Sequence, residues 1–212
     1  MICIFLGAPG SGKGTQAKRV CASRGMKYIG TGEILRENVS SGTELGKRVK
    51  ATLEAGHLVD DATMIEIIEE KIKNENSFLM DGFPRTVLQA EALENLFGKY
   101  EKSLDAVIFL DVSASEVTKR ILGRFSCSSC GKDYNVHIND IKDERCPDCG
   151  DALLQRSDDT KDTVIERIEE YSRKTAPLKE FYEKKNILIN VCGTGSVDDI
   201  FKRITEALDN KN

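Results

Sequence analysis

The sequence lacks the features that mark membrane-spanning and exported chains. None of its apolar runs approaches the roughly 20 residues that cross a bilayer. The opening stretch MICIFLGAPG has no basic segment and only six residues before its first glycine, which argues against a secretory signal. We therefore expect a cytoplasmic protein that makes no membrane contact.

The sequence also lacks an excess of positive charge. It holds 31 Lys and Arg against 35 Asp and Glu, which gives a formal net charge of −4. Nucleic-acid-binding domains neutralise phosphates with a basic surface, so a globally basic surface of that kind is excluded. Hydrophobic residues make up 40% of the chain, enough for a buried core, and the length of 212 residues suggests one domain with inserted lobes.

Histidine is scarce, with two residues, but there are seven cysteines. Four of them follow the pattern C-x2-C-x15-C-x2-C: Cys127, Cys130, Cys146 and Cys149. This spacing is typical of a tetrahedral zinc site, and four thiolates leave no open position for chemistry. We predict a structural Zn²⁺, although iron or cobalt also binds four thiolates. The odd cysteine count favours a reducing compartment over disulfides.

The cysteine segment has two alternative interpretations. One is a nucleic-acid-binding ribbon, but residues 127–150 carry three basic and five acidic side chains, the wrong sign for phosphate binding. The other is a thiol switch, for which one C-x-x-C pair would suffice. Two pairs at ribbon spacing favour a metal over both.

Short apolar runs alternate with amphipathic stretches along the rest of the chain. Residues 1–7, 77–81, 105–111 and 186–191 read as buried strands, and a helical pattern follows each. Strands separated by helices imply right-handed crossovers and a parallel sheet. Further helices are expected at 31–40, 43–54, 61–73, 86–97, 114–124, from about 160 to a break before Pro177, and at 197–209. Residues 30–59 and 123–159 do not fit the alternation and read as insertions.

The stretch GAPGSGKGT, residues 7–15, follows the first strand and opens the first helix. Gly7, Gly12 and Lys13 satisfy the pattern G-x-x-x-x-G-K, in which backbone N–H groups surround a phosphate and the lysine reaches its oxygens. Gly14 follows the lysine, so the usual magnesium-ligating hydroxyl is Thr15 or is missing. Asp81 ends another strand, where a carboxylate can hold Mg²⁺, and Asp111 is a weaker candidate.

Arginines surround the two insertions: Arg36, Arg85, Arg120, Arg124, Arg156 and Arg167. Phosphoryl transfer needs positive charge spread around the moving group, and the arrangement of these arginines provides it.

At this point the residues match a known family from end to end. The motifs are GAPGSGKGT (7–15), TGEILRE (31–37), GHLVDD (56–61), DGFPRTVLQAEAL (81–93), KRILGR (119–124), RSDDT (156–160) and TAPL (175–178). The chain resembles adenylate kinases, in particular the long-lid bacterial form with a four-cysteine zinc site. The resemblance implies reversible phosphoryl transfer from MgATP to AMP, giving two ADP, by a monomer. UMP or CMP is the alternative acceptor, and a zinc-ribbon regulatory ATPase is the alternative from another class.

The resemblance also implies a division of the chain. An α/β core with a P-loop NTPase-like parallel sheet flanked by helices would comprise residues 1–29, 60–122 and 160–212. Residues 30–59 would form a helical AMP-binding lobe, and residues 123–159 a zinc-containing lid. Asp158 and Asp159 would help to close the lid hinge, or cap the helix that begins at Thr160.

Three sets of site residues follow from the resemblance. The ATP site would comprise Gly10, Ser11, Gly12, Lys13, Gly14, Thr15, Arg120, Arg124, Asp133, Tyr134 and Gly195. The AMP site would comprise Thr31, Arg36, His57, Leu58, Val59, Gly82, Phe83, Pro84, Arg85, Gln89, Arg156 and Arg167. Catalysis would rest on Lys13, Asp81, Arg85, Arg120, Arg124, Arg156 and Arg167. In this scheme Gln89 reads the adenine edge, and alignment replaces a general base.

Overall fold

The computed structural model describes residues 1–137, 141, 144–156 and 159–211. Its centre is a parallel sheet of five strands, in the order β2-β3-β1-β4-β8. The five strands are β1 (Ile2–Leu6), β2 (Lys27–Gly30), β3 (Phe78–Asp81), β4 (Ala106–Asp111) and β8 (Leu188–Cys192). The predicted α/β fold with a parallel sheet flanked by helices is confirmed. Edge strand β2 was not predicted, because the short run KYIG contains two polar side chains and only one aliphatic one.

A second, antiparallel sheet lies in the segment that contains the four cysteines. Its order is β6-β5-β7, with β5 at Arg124–Cys127, β6 at Asp133–Asn135 and β7 at Leu153–Leu154. Its hydrophobic cluster consists of two buried cysteines and Leu153, with partly buried Phe125, Tyr134 and Ile141 packed against them. This set is small for a sheet of three strands, so packing alone gives the segment little stability.

The described residues form nine α-helices, several of which pack against the central sheet. They are α1 (Lys13–Arg24), α2 (Thr31–Ser40), α3 (Glu44–Glu54), α4 (Asp61–Ile72), α5 (Val87–Lys99), α6 (Ala114–Leu122), α7 (Lys161–Glu170), α8 (Pro177–Glu183) and α9 (Val197–Asp209). One expectation needs correction: α6 ends two residues early, since Arg124 begins β5. The expected break before Pro177 is present. The helix after Thr160 changes at Tyr171–Thr175 into a π-helical turn, and α8 begins with Pro177 at its first position. No helix in the described part of the chain is long and apolar enough to cross a membrane.

Side chains alternate across the central sheet and divide the core into two layers. Ile2, Ile4 and Leu6 of β1 join the larger cluster with residues of α4, α5 and α8. Cys3 and Phe5 point to the other face and pack against α1 and α9. All five residues of β1 are buried, as expected for a central parallel strand. Helices on both faces leave the carboxyl edge of the sheet open for a site.

Side-chain caps define where most helices begin. The N-cap side chain accepts a hydrogen bond from the backbone N–H three residues later at Thr43, Asp60, Thr86, Ser113, Thr160 and Ser196. Asp60 caps α4 in this way, with 2.9 Å between its Oδ1 and the nitrogen of Thr63. Each cap satisfies a backbone donor that lacks a partner within its helix.

Two glycines give a test of the packing between α2 and α3. A Cβ on Gly46 of α3 would lie 2.0 Å from the carbonyl oxygen of Asn38, so the helices meet backbone to backbone. We predict that Gly46→Ala destabilises the protein by at least about 1–3 kcal/mol through overpacking. Gly98→Ala, at an exposed position of α5, is the matched control, because a Cβ there would meet no described heavy atom within 4 Å. It should stabilise by about 0.5–1 kcal/mol. Thermal unfolding of both variants checks this, and equal melting temperatures would contradict it.

Candidate active site

The glycine loop crosses the carboxyl edge of the sheet between β1 and α1. Gly12, at φ 94°, provides the left-handed residue from which α1 begins. A Cβ on Gly10 would lie 2.5 Å from Cγ1 of Ile121, so the loop lies tightly against α6. Ser11 is buried, and Thr15 is exposed at the start of α1. The N–H groups of this loop and the N-terminus of α1 form an anion-binding site.

Lys13 is held within this loop. Its Nζ donates hydrogen bonds to the carbonyl oxygens of Gly7 and Ala8, both at 2.7 Å. Among the residues that the structure describes, this ammonium group bonds to loop carbonyls and the Ser11 hydroxyl, and no carboxylate lies at hydrogen-bond distance. Its charge is therefore available to an anion bound in the loop.

Four other charged groups act on Lys13. Burial lowers the pKa of Lys13 to about 8; Asp81 opposes that change, whereas Arg85, Arg167 and Arg124 add to it. These groups come from distant parts of the chain, and the fold brings them to one end of the sheet. The cluster carries more positive than negative charge, as a site for phosphate groups requires.

Asp81 ends β3 next to the glycine loop. A Cβ on Gly14 would lie 3.2 Å from Oδ2 of Asp81, so the glycine after the lysine allows this approach. The hydroxyl of Tyr28 donates to the same oxygen at 3.1 Å. The hydroxyl of Thr31 donates to the Asp81 carbonyl oxygen at 3.3 Å. The carboxylate thus stands where magnesium on a loop-bound phosphate is expected.

A cavity opens beside this cluster, between α2, the loop after α3, and the start of α5. Its lining comprises Thr31, Gly32, Leu35, Arg36, Leu53, Gly56, His57, Leu58, Val59, Met64, Gly82, Arg85, Gln89 and Arg167. Nine of the twelve residues predicted for the AMP site are among them. Phe83 is buried, and Pro84 follows it through a cis peptide bond. Arg156 does not line the cavity.

Gln89 lies at the inner end of the cavity and both ends of its amide are bonded. Its Oε1 accepts from the backbone N–H of Arg85 at 2.7 Å, and its Nε2 donates to Oδ1 of Asp61 at 2.7 Å. These two bonds fix the orientation of the amide. The second hydrogen on Nε2 and the second lone pair on Oε1 are not used by these two bonds. Reading of a base edge by Gln89 stays a prediction.

Asp159 joins two of the predicted catalytic arginines. Its carboxylate is fully buried and accepts two bonds from Arg124, at 2.7 and 2.6 Å, and one from Arg167 at 2.9 Å. A buried carboxylate with fewer partners would be strongly disfavoured. Thr160 caps α7 with its own side chain, so Asp159 is not the cap. Asp158 lies outside the described residues.

Arg120 connects the glycine loop to the turn before α9. Its Nη1 donates to the carbonyl oxygens of Ser11, at 3.3 Å, and Gly193, at 3.0 Å, while Nε pairs with Glu116 at 2.8 Å. Gly195, predicted for the ATP site, lies two residues beyond Gly193 in the same turn. Arg120 here orders the loop that carries Lys13, and its contact with ATP stays a prediction.

Arg156 and two predicted ATP-site residues lie together on the antiparallel sheet. Arg156 Nη2 donates to both carboxylate oxygens of Asp133, at 2.7 and 2.5 Å, and Nε donates to Ser126 Oγ at 2.9 Å. Tyr134 places its hydroxyl 3.2 Å from the sulfur of Cys146. These residues therefore organise the second sheet, and their contacts with nucleotides stay predictions.

The four cysteines predicted to bind metal converge. Their sulfurs all lie within 4.8 Å of one another, with Cys127–Cys149 at 3.4 Å and Cys130–Cys146 at 3.7 Å. Zinc–sulfur bonds of about 2.3 Å in a tetrahedron place the sulfurs about 3.8 Å apart. A disulfide would need about 2.05 Å. The thiol donor set and its spacing therefore fit zinc.

The sequence interpretation missed three residues that hydrogen-bond to predicted site residues. Tyr28 holds Asp81, Asp61 holds Gln89, and the hydroxyl of Thr175 donates to the Arg85 carbonyl oxygen at 2.9 Å. Asp61 and Thr175 lie in motifs that were recognised, but neither had been given a role. Tyr28 lies in the unpredicted strand β2, where no motif marks it.

Comparison with known proteins agrees with this geometry. The sequence profile of the family described as "Adenylate kinase" matches residues 5–187. A protein named adenylate kinase from Thermodesulfovibrio yellowstonii is 44% identical, over all of both chains. One from Archaeoglobus fulgidus is 45% identical over 99% of this chain and 98% of its own. One from Kosmotoga olearia is 45% identical over 99% of this chain and 100% of its own. By its sequence and its site, this chain belongs to the adenylate kinase family.

Proposed function

We propose that the protein transfers the γ-phosphoryl group of MgATP to AMP and gives two ADP, reversibly. One observation carries the proposal: Arg85 and Arg167 both line the cavity and both act on Lys13. Two phosphate-binding sites therefore share their cations. That arrangement suits transfer between two nucleotides, because the moving group stays close to positive charge throughout.

On the donor side, the loop N–H groups and Lys13 hold the ATP phosphates. Lys13 then exchanges its bonds with the Gly7 and Ala8 carbonyls for bonds with phosphate oxygens. Oxygen donors suit magnesium, and the Asp81 carboxylate beside the loop provides one, directly or through water. When bound, Mg²⁺ would supply positive charge that offsets the charge of the phosphate groups.

On the acceptor side, AMP occupies the cavity with its phosphate towards Arg85 and Arg167. The AMP phosphate is largely ionised at neutral pH, so its oxygen attacks the γ-phosphorus without a general base. The arginines stabilise the charge that spreads over the transferred group, and the alignment of the two nucleotides supplies the rest.

We propose that residues 30–59 act as the AMP lobe and residues 123–159 as a lid. A lid keeps water away from the γ-phosphate, which would otherwise be hydrolysed. Asp159 ties Arg124, at the start of the lid, to Arg167 on α7. Closure of the lid over ATP would bring phosphate oxygens to both arginines. We expect the protein to act as a monomer in the cytoplasm, and light scattering on a sizing column tests the monomer.

The first prediction concerns the reaction itself. With Mg²⁺ and ATP, we expect ADP to form quickly when AMP is present and very slowly when it is absent. A coupled assay with AMP, CMP, UMP, GMP and dAMP as acceptors measures the preference. Vigorous ATP hydrolysis that does not depend on AMP would contradict the proposal.

Gln89→Leu refines the same experiment. The change removes both polar ends of the amide, and we expect the AMP preference over CMP and UMP to fall by about tenfold or more, as for loss of a polar contact to a base. The matched control is Leu88→Gln, one residue earlier on α5, where the side chain is 68% exposed. Equal preferences in the two variants would contradict a base-reading role.

The second prediction follows from the pKa of Lys13, which burial lowers to about 8. ATP binds the protonated ammonium, so the free protein must take up a proton when it binds ATP above that pH. Affinity for ATP should therefore fall with rising pH, approaching about tenfold per unit above about pH 8. Calorimetry across this range measures the slope.

Lys13→Arg provides the control for that slope. A guanidinium does not titrate in this range, so the variant should bind ATP with an affinity that changes little between about pH 7.5 and 9.5. If both proteins show the same slope, another group is responsible.

The third prediction concerns the metal. We propose that Zn²⁺ fills the four-cysteine cluster and acts structurally, since four thiolates leave no open position. Removal with a strong chelator should lower the melting temperature by at least about 5 °C, because each kcal/mol shifts a chain of this size by about 2–4 °C. Activity should persist at temperatures at which the metal-free protein stays folded.

Cysteine variants separate this role from general thiol chemistry. Cys130→Ser should reproduce the loss of stability and of bound zinc, whereas Cys192→Ser, at an exposed thiol outside the cluster, should change neither. Loss of activity after chelation at an unchanged melting temperature would contradict a purely structural metal.

A further inference from the structure

Tyr28 occupies an unusual position for a tyrosine on an edge strand. Its side chain is partly buried against the cluster under α1, yet its hydroxyl emerges at the end of the sheet and donates to Oδ2 of Asp81 at 3.1 Å. No sequence motif covers Tyr28, and the proposed reaction gives it no role. Its contact is with Asp81, a carboxylate beside the glycine loop.

The strand register explains how the ring reaches that point. In the parallel pair β2–β3, Tyr28 is opposite Leu79 and Gly30 is opposite Asp81. Side chains two residues apart share a face, so Tyr28 and Gly30 are on the same face as Leu79 and Asp81. The tyrosine ring therefore runs along the strand and passes over Gly30 to reach Asp81.

Two glycines keep this path open. A Cβ on Gly30 would lie 2.3 Å from the Tyr28 hydroxyl oxygen and 2.6 Å from Cζ of the ring, so any side chain there would displace the tyrosine. On the other side, a Cβ on Gly14 would lie 3.8 Å from the same hydroxyl and 3.2 Å from Oδ2 of Asp81. Both the ring and the carboxylate thus fit between β2 and the start of α1.

The Tyr28 hydroxyl is the donor in this hydrogen bond, because an ionised carboxylate can only accept. Burial raises the pKa of Tyr28 well above its usual range, and the negative charge of Asp81 raises it further. The ring is also held from outside, with Nζ of Lys18 5.4 Å from its centre. Tyr28 is therefore a fixed donor to one oxygen of Asp81 and leaves the other oxygen available.

We propose that Tyr28 is a positioning residue, which orients the Asp81 carboxylate towards the magnesium of MgATP. Glycine at position 30 leaves the space that the tyrosine ring needs. This inference rests on the proposed function, because it assumes that Asp81 serves the metal. The competing interpretation is that the tyrosine ring only fills space under α1. Phenylalanine keeps the ring and removes the hydroxyl, so it separates the two.

The test compares binding of ATP with and without Mn²⁺, which replaces Mg²⁺ as the probe. Calorimetry gives the affinity of the protein for MnATP and for metal-free ATP. The ratio of the two affinities measures how much the metal strengthens the binding of ATP. Tyr28→Phe should lower this ratio about fivefold, as for the loss of one typical hydrogen bond. Affinity for AMP without metal should stay within about twofold of the original.

Gly30→Ala provides a second route to the same state. Its Cβ should push the hydroxyl away from Asp81 and lower the ratio to a similar extent, and adding Tyr28→Phe should cause little further loss, since the hydroxyl acts through one contact. Additive losses from the two changes would overturn the shared path.

Asp81→Asn separates failure of this inference from failure of the proposed function. If Asp81→Asn lowers the ratio and Tyr28→Phe does not, the positioning role is wrong and the function stands. If Asp81→Asn leaves the ratio unchanged, Asp81 does not serve the metal, and the role of Tyr28 falls with it. If Tyr28→Phe weakens AMP and MnATP equally, the residue is structural. If the unmodified protein binds neither nucleotide, the proposed function itself fails.

Discussion

The site depends on repulsion between positive charges that the fold forces together. Arg85, Arg124 and Arg167 all act on Lys13 at the carboxyl edge of the sheet. Burial lowers the pKa of Lys13 the most, and the three arginines lower it further. Like charges at short range destabilise a folded protein, so the cluster persists only because carboxylates and carbonyl oxygens hold its members. Bound phosphate groups would relieve the same repulsion, so the positive cluster favours phosphate binding without any rearrangement of charge.

Two carboxylates divide the work of holding these cations. Asp159 is fully buried and takes three hydrogen bonds from Arg124 and Arg167, so it fixes arginines from two different elements. Asp81 opposes the lowering of the Lys13 pKa but takes its hydrogen bond from Tyr28, a neutral donor. A neutral donor orients the carboxylate without neutralising it. In the proposed function, the negative charge of Asp81 attracts a divalent cation, whereas two arginines offset the charge of Asp159.

Much of this could be predicted from the sequence, for identifiable reasons. The glycine loop, four strands of the parallel sheet and the convergence of four cysteines depend on local pattern or spacing, and the structure and comparisons confirm the fold and the family. Tyr28 and the partners of Gln89 could not be found this way. Tyr28 and Asp81 are 53 residues apart, and Gln89 and Asp61 are 28 residues apart. The first contact depends on strand register and on the glycines beside the ring, which hydrophobic periodicity does not encode. The bounds of the lobes and the roles of the site residues stay predictions.

The short strand β6 connects the four-cysteine cluster to Arg156. On β6, Tyr134 bonds to the sulfur of Cys146, and its neighbour Asp133 holds Arg156 with both carboxylate oxygens. The hydrogen bonds of these three side chains restrain the strand once the sulfurs are fixed. A sheet with so few apolar side chains could not fix them by packing. In the proposed function, metal–sulfur bonds fix the sulfurs instead. Arg156 then belongs to one rigid unit rather than to a flexible loop.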